Sequence, residues 1–142
     1  MQIQNILVVC IGNICRSPMA EYWLKHHYPD RHIESAGIAG LVGQPADEKA
    51  QHCMQRYGID LQPHTARKLD ANHLKKADLV LVMSKNQQKH LEQTWPFAKG
   101  KVFRLGHWQD QNIPDPYQQD QQVFDETCDL IQRCIADWKN YI

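Results

Sequence analysis

Much that would give a chain of this size an obvious role is missing. There is no excess of charge, with Lys and Arg numbering 16 and Asp and Glu 16. Nucleic-acid backbones and anionic membrane surfaces attract a basic excess, so neutrality argues against both as partners. The eight histidines add charge only below pH ~6.5. No apolar run approaches the ~20 residues that span a bilayer. The opening M-Q-I-Q-N-I-L-V-V-C has no basic flank, and its apolar stretch is too short for a signal peptide. A cytoplasmic protein without membrane insertion is expected. No C-x-x-C pair occurs and no His pair lies near two cysteines, so the ligand spacing of a zinc site is absent and no metal is expected. The cysteines are Cys10, Cys15, Cys53, Cys128 and Cys134. Their odd number argues against a disulfide framework. No repeat, low-complexity tract or long linker divides the 142 residues. One domain over 1–142 around one core is the expectation.

What is present is an alternation of strands and helices. Segment 3–10 (I-Q-N-I-L-V-V-C) ends in a continuous apolar run, which fits a strand buried on both faces of a parallel sheet. Ser17 and Pro18 suit the N-cap and first residue of a helix. Ala20, Trp23, Leu24 and His27 then recur at helical spacing, predicting a helix over 18–28. Residues 32–36 read as a short strand and the glycine-rich 37–45 as a loop. A helix over 46–57 places Ala46, Ala50, Cys53 and Tyr57 on one face, and Gly58 stops it. D-L-V-L-V-M (78–83) is the second strong buried strand, and Ser84 caps a polar helix over 85–94. A fourth strand, 102–105, precedes a loop with Gly106, Pro114 and Pro116. The last helix, 120–140, carries Phe124, Cys128, Ile131, Ile135 and Trp138 on one stripe. Such alternation implies βαβ units and a parallel sheet. Ligands bind such sheets beyond the carboxyl ends of the strands, which is where the turn from Cys10 to Ser17 falls.

That turn reads C-I-G-N-I-C-R-S-P (10–18). A strand–loop–helix turn points successive N–H groups inward and adds the positive end of a helix, which makes an anion site. Gly12 lets the backbone approach a ligand, and Asn13 tolerates a left-handed conformation. Arg16 offers a planar fork for two phosphate oxygens. A thiol at the base of such a nest loses its proton readily. Together these suit nucleophilic attack on phosphorus. C-x5-R alone arises by chance, and cysteine also ends buried strands for packing reasons. The position after a buried strand, the Gly-Asn inside the loop and the Ser-Pro beyond it favour the oxyanion reading.

The loop resembles the phosphate-binding loop of the low-molecular-weight protein tyrosine phosphatases. S-A-G (35–37), H-T-A-R (64–67), D-L-V-L-V-M (78–83) and D-P-Y (115–117) follow in that family's order and spacing. The resemblance implies a single α/β domain with a four-stranded parallel sheet flanked by helices on both faces, and no cofactor. It implies that Ile11, Gly12, Asn13, Ile14, Cys15, Arg16 and Ser17 bind phosphate. Cys10 would attack phosphorus to form a cysteinyl-phosphate, with Arg16 on the equatorial oxygens. Asp115 would be the acid for the phenolate leaving group and then the base for water. From the residues alone, Asp110 and Asp120 are also near, and Asp-Pro is an ordinary turn. Asn13 would hold the loop's shape through Ser17, Ser35 and His64, with His64 a structural partner rather than a proton shuttle. Ser17 would also donate to the Cys10 thiolate. Tyr117 would wall one side of the cleft. In the family the neighbour Cys15 can form a reversible disulfide with the nucleophile; packing is the other reading. Cys53, Cys128 and Cys134 are read as core residues.

Two departures bear on substrate. Gln118 follows Tyr117 where eukaryotic members often carry a second tyrosine. The cleft position that tends to be aromatic is Leu41. Leu41 and G-H-W (106–108) are similar to bacterial members encoded with capsule or exopolysaccharide tyrosine kinases. The partner this implies is a phosphotyrosine protein, the tyrosine-rich tail of such a membrane-bound kinase, met by a monomer. Trp108 itself is read as packing. A thioredoxin-coupled arsenate reductase shares this loop but needs cysteines just after the third strand, and M-S-K-N-Q-Q-K-H (83–90) has none. A silent phosphotyrosine-binding module has no need of an acid at Asp115.

Overall fold

The computed structural model describes residues 2–142; of the expected domain 1–142, Met1 lies outside the described residues. The sheet contains β1 (Asn5–Cys10), β2 (His32–Gly37), β3 (Leu79–Val82) and β4 (Val102–Arg104). All neighbours are parallel, in the order β2-β1-β3-β4. The helices are α1 (Arg16–His27), α2 (Glu48–Gln55), α3 (Ala71–Lys76), α4 (Lys85–Thr94) and α5 (Gln121–Ala136).

The continuous apolar runs of β1 and β3 are buried because alternate side chains enter two different cores. Ile6, Val8, Leu79 and Leu81 face a cluster with Leu24 of α1, Ala50 of α2 and Phe124 of α5. Leu7, Val9, Val80 and Val82 face a second cluster with Leu74 of α3 and Leu91 of α4. The helices therefore cover both faces. The chain leaves β1 toward β2 on one side and returns to β3 on the other, so the turn after Cys10 lies at the switch point of the sheet.

The boundaries differ from expectation in instructive places. α1 begins at Arg16, two residues before Pro18, and Ser17 is not its cap: Cys15 holds that position, with no side-chain cap bond. The Ser17 hydroxyl is committed elsewhere, as described below. α2 starts at Glu48 behind an Asp47 cap and stops at Gln55, so Tyr57 lies in the following turn and is exposed. α3 has only Leu74 buried and no visible period. It is set by a capping box in which Asp70 Oδ1 accepts from His73 N and His73 Nδ1 accepts from Asp70 N. α5 ends at Ala136. Trp138 stays buried in the turn beyond, donating Nε1–H to the Leu105 carbonyl at 2.9 Å. The stripe Phe124, Cys128, Ile131 and Ile135 is buried as its spacing requires, and so are Cys53 and Cys134. Among the described residues, no helix is long and apolar enough to cross a membrane.

Candidate active site

The loop from Cys10 to α1 is held by backbone bonds from Ala39, Gly40, Leu41 and Asp47 and by the side chain of one asparagine. Asn13 takes a left-handed backbone, φ 65°, which asparagine tolerates better than most residues. Its side chain makes three hydrogen bonds whose directions can be assigned. The Arg67 N–H can only donate, and it reaches Asn13 Oδ1 at 2.9 Å. Nδ2 must then face Ser17 Oγ at 2.8 Å and Ser35 Oγ at 2.9 Å. Both hydroxyl oxygens accept, which frees both hydroxyl protons to donate onward. Ser17 donates to Cys10 Sγ at 2.9 Å, and Ser35 donates to Glu21 Oε1 at 2.5 Å. The Asn13 N–H also points at Cys10 Sγ, at 3.3 Å. His64 Nε2 meets the Asn13 carbonyl at 2.7 Å, so this support runs through the backbone rather than the carboxamide.

The expected set Asn13, Ser17, Ser35 and His64 is thus brought together, and all four are buried. Glu21 was missed. It is 2 % exposed, accepts from Ser35, and pairs with Lys25 Nζ at 2.5 Å. Its signal was its place four residues after Ser17 and four before Lys25, on one helix face. Burial pulls the His64 imidazole below its ordinary value, against the Asn13 carbonyl and Glu21 carboxylate pulling upward. Gly37, at the end of β2, lies under the loop; a Cβ there would stand 2.6 Å from the Ile11 carbonyl oxygen. The strand end therefore supports the loop only because it carries no side chain.

Above the loop is a cavity of about 200 Å³ with Cys10 at its base. Arg16, 5 % exposed, donates Nη1–H to the Ile113 carbonyl at 2.8 Å and places Nη2 3.6 Å from Asp115 Oδ2. The Asp115 side chain is 47 % exposed, at the rim, and its Oδ1 accepts the Tyr117 N–H at 3.1 Å. Of the three candidate acids only Asp115 lines the cavity. Asp110 pairs with Arg104, and Asp120 caps α5. Leu41, Tyr117 and Ile11 form the apolar walls. Trp108 lies outside the cavity, stacked on Tyr141 at 4.4 Å. Cys15 is a free, buried thiol that also lines the cavity. Burial, with Asp47 and Cys10 nearby, pushes its pKa well above the ordinary thiol value. Cys10 and Cys15 therefore have unlike surroundings within one loop.

A buried thiol at the floor of a backbone nest, a guanidinium beside it and a carboxyl at the mouth can cleave a phosphate monoester through sulfur. This is the equipment of a cysteine-dependent phosphatase. The sequence profile of the family described as low molecular weight phosphotyrosine protein phosphatase matches residues 5–142. The chain belongs to that family. It is 71 % identical, over the full length of both chains, to the low molecular weight protein-tyrosine-phosphatase Ptp of Acinetobacter johnsonii. Two solved structures superpose with a TM-score of 0.95. The Erwinia amylovora tyrosine phosphatase AmsI is 39 % identical, the match covering 99 % of this chain and 94 % of that one. Vibrio vulnificus Wzb, in complex with benzylphosphonate, is 36 % identical, with 99 % and 100 % covered.

Proposed function

We propose that this protein hydrolyses phosphotyrosine in proteins through a cysteinyl-phosphate intermediate. The observation that carries the proposal is the thiol of Cys10, which receives hydrogen bonds from Ser17 and the Asn13 amide at the floor of a cavity reached past Asp115. The phosphate docks with its equatorial oxygens on the N–H groups of residues 11–17 and on Arg16. The Cys10 thiolate attacks phosphorus, the bond from phosphorus to the aryl oxygen breaks, and Asp115 gives its proton to the departing oxygen. That proton matters because a phenol has a pKa near ~10 and a bare phenolate leaves poorly at neutral pH. A water then attacks the phosphocysteine and passes its proton to the Asp115 carboxylate. The thiolate and inorganic phosphate are released.

Aromatic selectivity follows from depth. Leu41, Ile11 and Tyr117 wall the cavity, so a phosphorylated phenol reaches the floor with its ring between them. Phosphoserine has a shorter stem and no ring to grip. Phosphotyrosine and phosphoserine peptides of matched sequence test this, and comparable rates on phosphoserine would overturn it.

The finer reading, from the resemblance in Leu41 and G-H-W (106–108), is that the substrate is the tyrosine-rich tail of a bacterial kinase of capsule or exopolysaccharide production. A purified phosphorylated tail should lose its phosphate at least as fast as unrelated phosphotyrosine peptides; a tail that stays phosphorylated refutes it. By the same resemblance Cys15 is a resolving thiol, which its burial keeps protonated until called on: a peroxide oxidises Cys10 to the sulfenic acid, and the Cys15 sulfur, giving up its proton, displaces water to form the disulfide. Cys15→Ser should then recover from peroxide less fully under dithiothreitol than the natural protein.

A further inference from the structure

Asp115 is carried by a segment with little core of its own. Between Gly106 and Asp120 only Gly106, Ile113 and Pro116 are buried. Something else must set where the carboxyl stands. β4 ends on Arg104, whose side chain is 8 % exposed and does not line the cavity. Its Nη1 donates to Asn112 Oδ1 at 3.0 Å, and its Nη2 donates to Asp110 Oδ1 at 2.5 Å. The same Asn112 oxygen accepts the N–H of Lys85, the first residue of α4, at 3.1 Å. The segment is thus fastened at one atom to the end of a strand and the start of a helix. The next residue, Ile113, donates its N–H to Met83 at 2.8 Å and offers its carbonyl to Arg16 at 2.8 Å. Asp115 follows two residues later.

Backbone bonds close the rest of the turn. Asp110 is left-handed, φ 50°, a conformation that aspartate tolerates better than most residues and that turns the chain back toward Arg104. Gly106 closes the turn by accepting from Gln111 N at 3.0 Å, with no room for a Cβ against the Gln111 carbonyl. A buried guanidinium with two fixed acceptors is a rigid fork, where lysine would be a swivelling point charge.

We infer that Arg104 and Asn112 are positioning residues for Asp115. They fix residues 110–113 and thereby the distance between Asp115 and the leaving oxygen. The inference rests on the reading of Asp115 as the acid. Displacement of a reacting group by about 1 Å can cost ~10²-fold, so loosening this anchor is felt as lost proton transfer, while the loop of residues 10–17 keeps its own support.

The test measures turnover of aryl phosphates of rising leaving-group pKa, inhibition by vanadate, and the urea midpoint. Asn112→Ala should slow phenyl phosphate roughly tenfold more than 2,4-dinitrophenyl phosphate, part of the ~10²–10⁴ a proton donor supplies, and leave vanadate inhibition unchanged. Asn112→Asp, which keeps the acceptor oxygen, should restore the natural profile. Asn112→Ala combined with Asp115→Asn should be no slower than Asp115→Asn alone. Arg104→Leu should reproduce the Asn112→Ala pattern; where it does not fold, Asn112→Ala decides. Equal slowing across all leaving groups, or full additivity with Asp115→Asn, overturns the inference. A flat profile for Asp115→Asn itself overturns the acid assignment and this inference with it. A steep profile for Asp115→Asn beside a flat one for Asn112→Ala overturns the positioning role alone.

Discussion

The two segments that meet across the cavity are built in opposite ways. Of residues 10–17, all but Ile11 and Gly12 are buried, and their polar groups are bonded to one another and to β2, α1 and the 64–67 turn. Of residues 106–120, most are exposed, and Asp115, the proposed acid, stands at the rim. The difference follows from the two tasks. Holding a dianion requires donors fixed in advance and shielded from water, because reorganising them during reaction would forfeit the gain. Handing over a proton requires a group at the mouth, beside the leaving oxygen. One segment therefore belongs to the fold, and the other is a rim pinned to it at a few atoms.

Substitutions can sharpen or break this contrast. The largest effect is expected for Cys10→Ser: turnover of p-nitrophenyl phosphate should vanish while inorganic phosphate or vanadate still binds, since the nest survives the loss of the nucleophile. Turnover at the natural rate would end the mechanism. Next is Asp115→Ala, with aryl phosphates of poor leaving ability slowed by about 10²–10⁴. Because its side chain is 47 % exposed, the urea midpoint should barely move, a change within about 0.5 kcal/mol. A large stability loss would mean that the rim supports the fold after all.

Asn13→Ala tests the other side. It deletes three side-chain hydrogen bonds, two of them buried, each worth ~1 kcal/mol net, so urea denaturation should show a loss of about 3 kcal/mol alongside impaired phosphate binding. An unchanged midpoint would mean that the loop is held by something else. The smallest effect belongs to Tyr117→Ala. Aromatic pairing beyond area burial is worth ~0.5–1.5 kcal/mol, so KM for phosphotyrosine peptides should rise several-fold with kcat and stability nearly unchanged. A KM that does not move would remove Tyr117 from the cleft wall.

The contrast also explains what could be read in advance. β1, β3 and the loop between Cys10 and Arg16 were legible because their signals are local: an apolar run on a buried strand, then glycine, asparagine and guanidinium within seven residues. α3 was not, because a six-residue helix with one buried leucine has no period to detect and depends on its cap. Ser17 was read as a cap from its place before proline. Its partners, Cys10 and Asn13, are the ones expected from resemblance to a family; they depend on how α1 meets the loop, which no spacing reveals. Asp115 was separated from Asp110 and Asp120 by resemblance to a family. Its nearness to Arg16 and the anchoring of its segment by Arg104 join distant parts of the chain, and only the fold makes those contacts.

The direction of the bonds around Asn13 has a consequence of its own. From the Arg67 amide, through the carboxamide of Asn13 and the hydroxyl of Ser17, every proton points the same way, toward sulfur. Such a row behaves as a polarised wire in which each link strengthens the next, by an estimated ~10–30 % per bond. Under the mechanism proposed above, the charge on the attacking sulfur is therefore stabilised by donors that reach to a peptide unit on the far side of the loop. The row starts at a backbone N–H rather than at a side chain. Proline at residue 67, which has no N–H to donate, would remove the first bond of the row.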